Sequence, residues 1–102
     1  MRYIATMRII SHKKIRDFFK KHAASKKPLE AWFKILRHAN YGSFSDLRKT
    51  FAGADQVGKF TVFNIGGNKY RLISAIHYNR SILYIREILT HEEYNENAWK
   101  EK

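Results

Sequence analysis

Between residues 63 and 94 this chain carries side chains of the kinds that act on a phosphodiester. Arg71 sits in FNIGGNKYRLI (63–73), and Arg86 sits in IREILTHEEY (85–94), which ends on His91 and Tyr94. A guanidinium presents a fixed pair of donors that matches two phosphate oxygens. A histidine titrating near about 6.5 is the usual proton carrier at neutral pH, and a tyrosine donates a hydrogen bond or stacks on a base. Asn64, Asn68 and Lys69 flank the Gly66-Gly67 pair and are candidates for holding a substrate. The expected site is therefore Arg71, Arg86, His91 and Tyr94, with those three beside it.

The charge points to the same partner. The chain has 102 residues and a formal net charge of +11, from 20 Lys and Arg against 9 Asp and Glu. Residues 1–38 alone hold 11 of the cations and 2 of the acids. An excess of this size is the footprint of a polyanion-binding protein, with nucleic acid ahead of anionic membrane, although lysines also serve as plain solubilising surface. Lys13, Lys14, Lys20 and Lys21 in the first helical stretch, and Lys59 at the start of the strands, are the candidates for gripping a nucleic-acid backbone. There is no cysteine, which excludes disulfides and thiolate metal sites and fits a reducing cytosol. No apolar run reaches the roughly 20 residues of a membrane helix, and the first residues lack the pattern of a secretory signal.

The elements that must hold these groups can be read from periodicity. Arg8–Ile10 reads as a short first strand before a Ser11 cap. From His12, the residues Ile15, Phe18, Phe19 and Ala23 recur at helical spacing among Lys and Arg. Lys26-Lys27-Pro28 should break that helix and open a second, with Leu29, Trp32, Phe33 and Leu36 on its apolar face. Residues 43–51 can cap and form a short third helix, and residues 53–58 read as loop. Strand composition then takes over in residues 59–65, 68–78 and 81–89. Gly66-Gly67 reads as a two-residue hairpin turn, and Asn79-Arg80 as a weaker one.

Those turns imply a register in which Asn64 faces Lys69, Val62 faces Arg71 and Ile73 faces Arg86. Alternation then puts Asn64, Lys69, Arg71, Tyr84, Arg86 and Thr90 on one face. Phe63, Ile65, Tyr70, Leu72, Ile76, Leu83, Ile85 and Leu89 fall on the other, which should receive the apolar helices. Two arginines on one face with no acid between them would repel each other unless a phosphate sits there. Thr90 is a candidate cap for a final helix whose first turn holds Glu92 and Glu93. His12, His22, His38 and His77 show no paired ligand spacing, so no metal or other cofactor is expected. The fold class is α+β, with the N-terminal helices on one face of a small, mostly antiparallel sheet in a single domain, 1–102.

VFNIGGNKYRLI followed by IRE-x-x-THEEY and Trp99 resembles the HigB family of toxins from bacterial toxin–antitoxin pairs, within the RelE-like ribonuclease superfamily. RIISHKKIRDF, LEAWF, DLRKTF and ADQVG follow in the family order, so the resemblance covers the chain from Met7 onward. It implies a metal-independent endoribonuclease that cleaves mRNA, usually on the translating ribosome, in the cytoplasm. It also implies a HigA-type antitoxin with a helix-turn-helix domain, through which alone operator DNA would be met. By position it assigns Arg71, Arg86, His91 and Tyr94 to the site; Asn95 stands where the family usually shows Asp. Residues 1–6 precede the resemblance and are expected to be a dispensable extension. The competing readings are a non-nucleolytic toxin of the ParE branch on the same scaffold and a non-catalytic RNA-binding module.

Overall fold

A computed structural model describes residues 6–101. In chain order the elements are β1 (Arg8–Ile10), α1 (His12–Lys21), α2 (Lys26–Arg37), α3 (Phe44–Thr50), β2 (Asp55–Val57), β3 (Phe60–Ile65), β4 (Tyr70–His77), β5 (Ile82–Thr90) and α4 (His91–Asn95). Short 3-10 turns occupy Ala23–Ser25, Tyr78–Arg80 and Ala98–Glu101. The strands form one sheet in the order β1-β5-β4-β3-β2, antiparallel except for the parallel β1–β5 pair. The α+β class and the mostly antiparallel sheet are as expected. The dispensability of residues 1–6 falls mainly on residues outside those described. From Met7 the chain is anchored: its side chain is buried and its N–H donates to the Ala39 carbonyl at 2.8 Å.

The helices form where apolar spacing meets a sheet face that needs cover. Ile15 of α1 and Leu29, Trp32 and Leu36 of α2 are buried, while Phe18, Phe19 and Phe33 pack partly exposed around them. They meet Phe63, Ile65, Tyr70, Leu72, Leu83 and Ile85 across the sheet, with Trp32 and Phe51 each set edge-on to Phe63. The break between the first two helices lies at residues 22–25, earlier than Pro28, which instead sits in the first turn of α2. That position suits a residue with no N–H to donate. α3 forms as expected, with the Ser43 hydroxyl accepting from the Asp46 N–H at 3.1 Å.

Several strand readings need correction. Asp55–Val57, read as loop, is the edge strand β2, paired with Phe60–Val62. The first hairpin closes through residues 66–69 rather than a two-residue turn, so Asn64 pairs with Arg71 and Val62 with Ile73. A shift of two leaves every side chain on its expected face. Gly66 and Gly67 both have positive φ, and a Cβ on Gly66 would meet the Pro28 ring at 3.5 Å, so the loop lies close against the start of α2.

The β4–β5 register is as expected from His77↔Ile82 to Ser74↔Ile85, entered through the Tyr78–Arg80 turn with Ser81 left-handed. A bulge then intervenes, and Ile73 pairs with Glu87 instead of Arg86. One extra residue in one strand reverses the alternation beyond it. Leu89 therefore faces Arg71, away from the helices, and Thr90 faces Tyr70 on the helix side. Glu87, opposite Ile73, lies on the side away from the helices.

The face opposite the helices carries a second apolar cluster of Phe60, Val62, Ile73 and Trp99, with Val57, Leu89 and Tyr94 packed against it. It is not the open cationic surface that alternation alone implied. The C-terminal turn brings Trp99 back over β3 and β4 and buries it to 3% exposure. The capping box at Thr90, whose hydroxyl accepts from the Glu93 N–H while Glu93 accepts from the Thr90 N–H, directs the chain out of β5 into α4. Replacing Thr90 with Ala should therefore cost about 1 kcal/mol of stability, measured by urea unfolding. A fully unchanged midpoint would mean that α4 is held by Trp99 alone.

Candidate active site

Arg71 lies in β4 with 9% of its surface exposed. Its Nη1 donates to the carbonyls of Asn68 at 3.1 Å and Tyr70 at 3.3 Å, so the hairpin loop itself anchors the guanidinium. The guanidinium carbon stands 5.4 Å from the centre of the Tyr94 ring. A cation over an aromatic face gains about 0.5–2 kcal/mol depending on desolvation. Arg71 is thus built into the structure, with Nε and Nη2 free of hydrogen-bond acceptors among the described residues.

Tyr94 stacks on Trp99 at 5.0 Å between ring centres and 16° between planes, and the Trp99 indole N–H donates to the Tyr94 carbonyl at 3.0 Å. Trp99 in turn meets Phe60 edge-on at 6.3 Å, and the Arg86 guanidinium lies 5.9 Å from the Phe60 ring centre. Arg71 is thus set against Tyr94, and Arg86 against Phe60. The two arginines stand at the two ends of a row of rings, Tyr94, Trp99 and Phe60. Arg86 shares a pocket of about 400 Å³ with Lys14, Glu87, Phe60 and Trp99.

Burial raises the pKa of the Tyr94 phenol, the Asp55 carboxylate adds to the rise, and Arg71 opposes it. The hydroxyl is therefore protonated at neutral pH and is a hydrogen-bond donor there rather than a base.

His91 opens α4, and its N–H donates to the Lys69 carbonyl at 3.0 Å, which ties α4 to the hairpin loop. Its Nε2 is 3.2 Å from Asn95 Nδ2, one helical turn on. The imidazole is exposed and lines a pocket with Lys69, Tyr70, Thr90, Glu92 and His22. His91 and Lys69 are therefore brought together, while Arg71 and Tyr94 occupy the other face of the same strand ends. The site is a rim rather than a single cup.

The remaining candidates divide. Asn64 is committed to structure: its Nδ2 donates to the Gly53 carbonyl at 3.2 Å, and a Cβ on Gly53 would come within 2.9 Å of that nitrogen. Asn68 contributes its carbonyl to Arg71. Lys59 lies over the outer side of Phe60 at 5.4 Å. Lys14 and Lys21 line the groove between α1 and the bulged part of β5, with Arg86. Lys13 is paired with Asp17 at 2.8 Å, and Lys20 is exposed on α1. Sequence reasoning passed over His22 and gave Phe60 no part. Their signals, an imidazole at a helix end and an aromatic at a strand start, acquire meaning only through the neighbours the fold supplies. Among the described residues no three His, Cys, Asp or Glu side chains gather as a metal-ion site, and no helix is long and apolar enough to cross a membrane.

Residues 25–97 match the model of the HigB toxin family, described as a RelE-like toxic component of a toxin–antitoxin system. The chain is 29% identical over 92 residues to the mRNA interferase toxin HigB of Escherichia coli strain K12, covering 87% of this chain and 88% of the relative. It shows the same figures against the mRNA interferase HigB of Shigella flexneri. Against that of Escherichia coli O6:H1 it is 23% identical over 92 residues, with 87% and 89% covered. The chain belongs to the HigB toxin family, whose members are the toxic halves of toxin–antitoxin pairs, and an antitoxin is accordingly its partner.

Because Trp99 is both the centre of the second cluster and the support of Tyr94, Trp99→Ala should cost about 3–5 kcal/mol. Tyr94→Phe keeps the ring and should stay within about 1 kcal/mol of the wild type. Denaturant melts of the two variants check the pair. Equal losses would mean that the Tyr94 hydroxyl, and not the stack, holds the C-terminal segment.

Proposed function

We propose that this toxin is an mRNA endonuclease, working without a metal on messages engaged by the ribosome, in the cytoplasm, and held inactive by a HigA-type helix-turn-helix antitoxin. The observation that carries the reading is the cluster at the β4–β5 strand ends: an anchored Arg71 beside Tyr94, with His91 and Lys69 around the edge, in a chain related over nearly nine-tenths of its length to proteins named mRNA interferases. The most economical chemistry for these groups is transfer within the RNA itself. The 2′-hydroxyl attacks the adjacent phosphorus, so the nucleophile is part of the substrate and no metal-bound water is required.

Arg71 then supplies preorganised donors to the charge that builds on the phosphorane oxygens. Its stem and two of its N–H bonds are already fixed by the fold, so little reorganisation accompanies that step. His91 carries a proton, because it is exposed and held at the strand end. Tyr94, protonated and stacked, donates to the phosphate or offers its ring edge to a base. Arg86, at the far end of the row of rings, takes a neighbouring phosphate of the same strand rather than the scissile one. Lys14 and Lys21 extend that track along α1.

Each group has its own expected outcome. Arg71→Lys should reduce cleavage by about 10²-fold, since the ammonium lacks the fork that faces the phosphorane. Arg86→Gln should weaken substrate binding and flatten its dependence on salt while leaving the bound rate nearly unchanged. The measurement is mapping of RNA 5′ ends after induction, with cleavage of a translated message in vitro for each folded variant. Arg71→Lys and His91→Gln proteins that both cut at the wild-type rate would remove the site assignment. A wild-type protein that arrests growth with transcripts intact would instead favour the ParE branch.

A further inference from the structure

The pocket at the end of β4 and β5 contains a second imidazole that the reading above does not use. His22 caps the C-terminal end of α1, and its ring stacks on Phe18 at 4.5 Å and leans on Tyr70 at 6.0 Å. Tyr70 begins β4 and pairs with Thr90, the residue before His91, while the His91 N–H is bonded to Lys69. Three separate elements thus deliver His22, Lys69 and His91 to one cavity of about 360 Å³. That volume is within the roughly 300–1,000 Å³ of small-ligand sites. Its charged and titratable lining is His22, Lys69, Tyr70, His91 and Glu92.

We infer that His22 is a catalytic residue, the partner of His91 in a two-imidazole acid–base pair across the scissile phosphate, with Lys69 as the cation beside it. The inference rests on the ribonuclease reading and deepens it. Transfer to the 2′-hydroxyl needs two proton movements, one at each end of the phosphorus. A neutral imidazole takes the 2′-hydroxyl proton as the 2′-oxygen–phosphorus bond forms. A protonated imidazole gives its proton to the 5′-oxygen as the phosphorus–oxygen bond to it breaks. The products are a 2′,3′-cyclic phosphate and a 5′-hydroxyl, and the two histidines end with their protonation states exchanged. Tyr94, stacked on Trp99, does not line this cavity. His22 is the histidine that lines this cavity with His91.

The packing of His22 between Phe18 and Tyr70 provides the control. His22→Phe keeps a ring in the stack and removes both nitrogens; His22→Gln keeps a polar group and removes the ring. Both are compared with wild type and His91→Gln for cleavage of a short translated message, across pH, in a reconstituted translation system. The substrate is made with either an ordinary linkage or a 5′-sulfur leaving group, which departs without being protonated. Expected are an about 10²-fold or greater fall in kcat for His22→Phe with KM little changed. One limb of a bell-shaped pH profile should also be lost, with rescue of one of the two histidine variants, and only one, by the 5′-sulfur substrate. A folded His22→Phe protein within about threefold of wild type, with both limbs intact, overturns the pair and leaves the nuclease reading standing. Should His22→Phe not fold, His22→Gln is judged by the same criteria. Rescue of neither variant, or of both, also overturns it. A wild-type protein that cuts no message under any condition removes the reading beneath it as well.

Discussion

A single extra residue in β5 governs the arrangement of the C-terminal half. From His77 to Ser74 the β4–β5 ladder runs with strict alternation, and then the bulge at Arg86 moves every later residue of β5 to the opposite face. Without it, Leu89 would point at the helices and Thr90 at the second cluster. With it, Leu89 helps bury Trp99, Thr90 meets Tyr70, and the chain leaves the strand at the point where Thr90 can cap α4. Arg86, at the bulge itself, lies beside Phe60. Bulges re-aim side chains at a modest loss of ladder pairing, and they tend to lie beside functional surfaces for that reason.

The second consequence is that packing and chemistry share residues. In many small α+β proteins one sheet face is solvated, and substitutions there have little effect on stability. Here β3 and β4 are covered on both faces, so Ile73 and Val62 are as buried as Leu72 and Phe63. The cover on the outer face is aromatic, and the same rings that exclude water from Ile73 support the guanidinium of Arg71. A polar site carried on an apolar lid is stiff, which favours preorganised donors. It also means that loss of packing in the C-terminal turn and loss of the site occur together.

How much of this was legible in the chain depended on the range of the interaction. Ile15, Leu29, Trp32 and Leu36 follow helical spacing closely enough to identify both helices and their buried faces. Ser43 and Thr90 are recognisable caps because the bonds they make are local. The hairpin loop is two residues longer than Gly66-Gly67 alone, and its faces still follow the sequence because a shift of two preserves alternation. The bulge left no trace in composition, since Ile85-Arg86-Glu87 reads as ordinary strand, and the face of Leu89 was lost with it. Asp55-Gln56-Val57 is too short and polar to announce itself; only pairing with β3 makes it a strand. The pairing of His22 with His91 joins positions far apart along the chain, and no local pattern carries that.

The two tryptophans of the chain fall one to each apolar cluster, Trp32 under the helices and Trp99 beneath the C-terminal turn. The molecule therefore carries an intrinsic fluorophore for each of its two layers. Trp99 is stacked on a phenol ring, with its indole nitrogen engaged by a carbonyl and the Lys100 ammonium 5.7 Å from its ring centre. Its emission should respond to anything that displaces that charge, whereas Trp32, among aliphatic and phenylalanine neighbours, should report only the integrity of the main core. With phenylalanine in place of Trp32, the remaining signal would isolate events at the outer face, including the arrival of a polyanion or of an antitoxin.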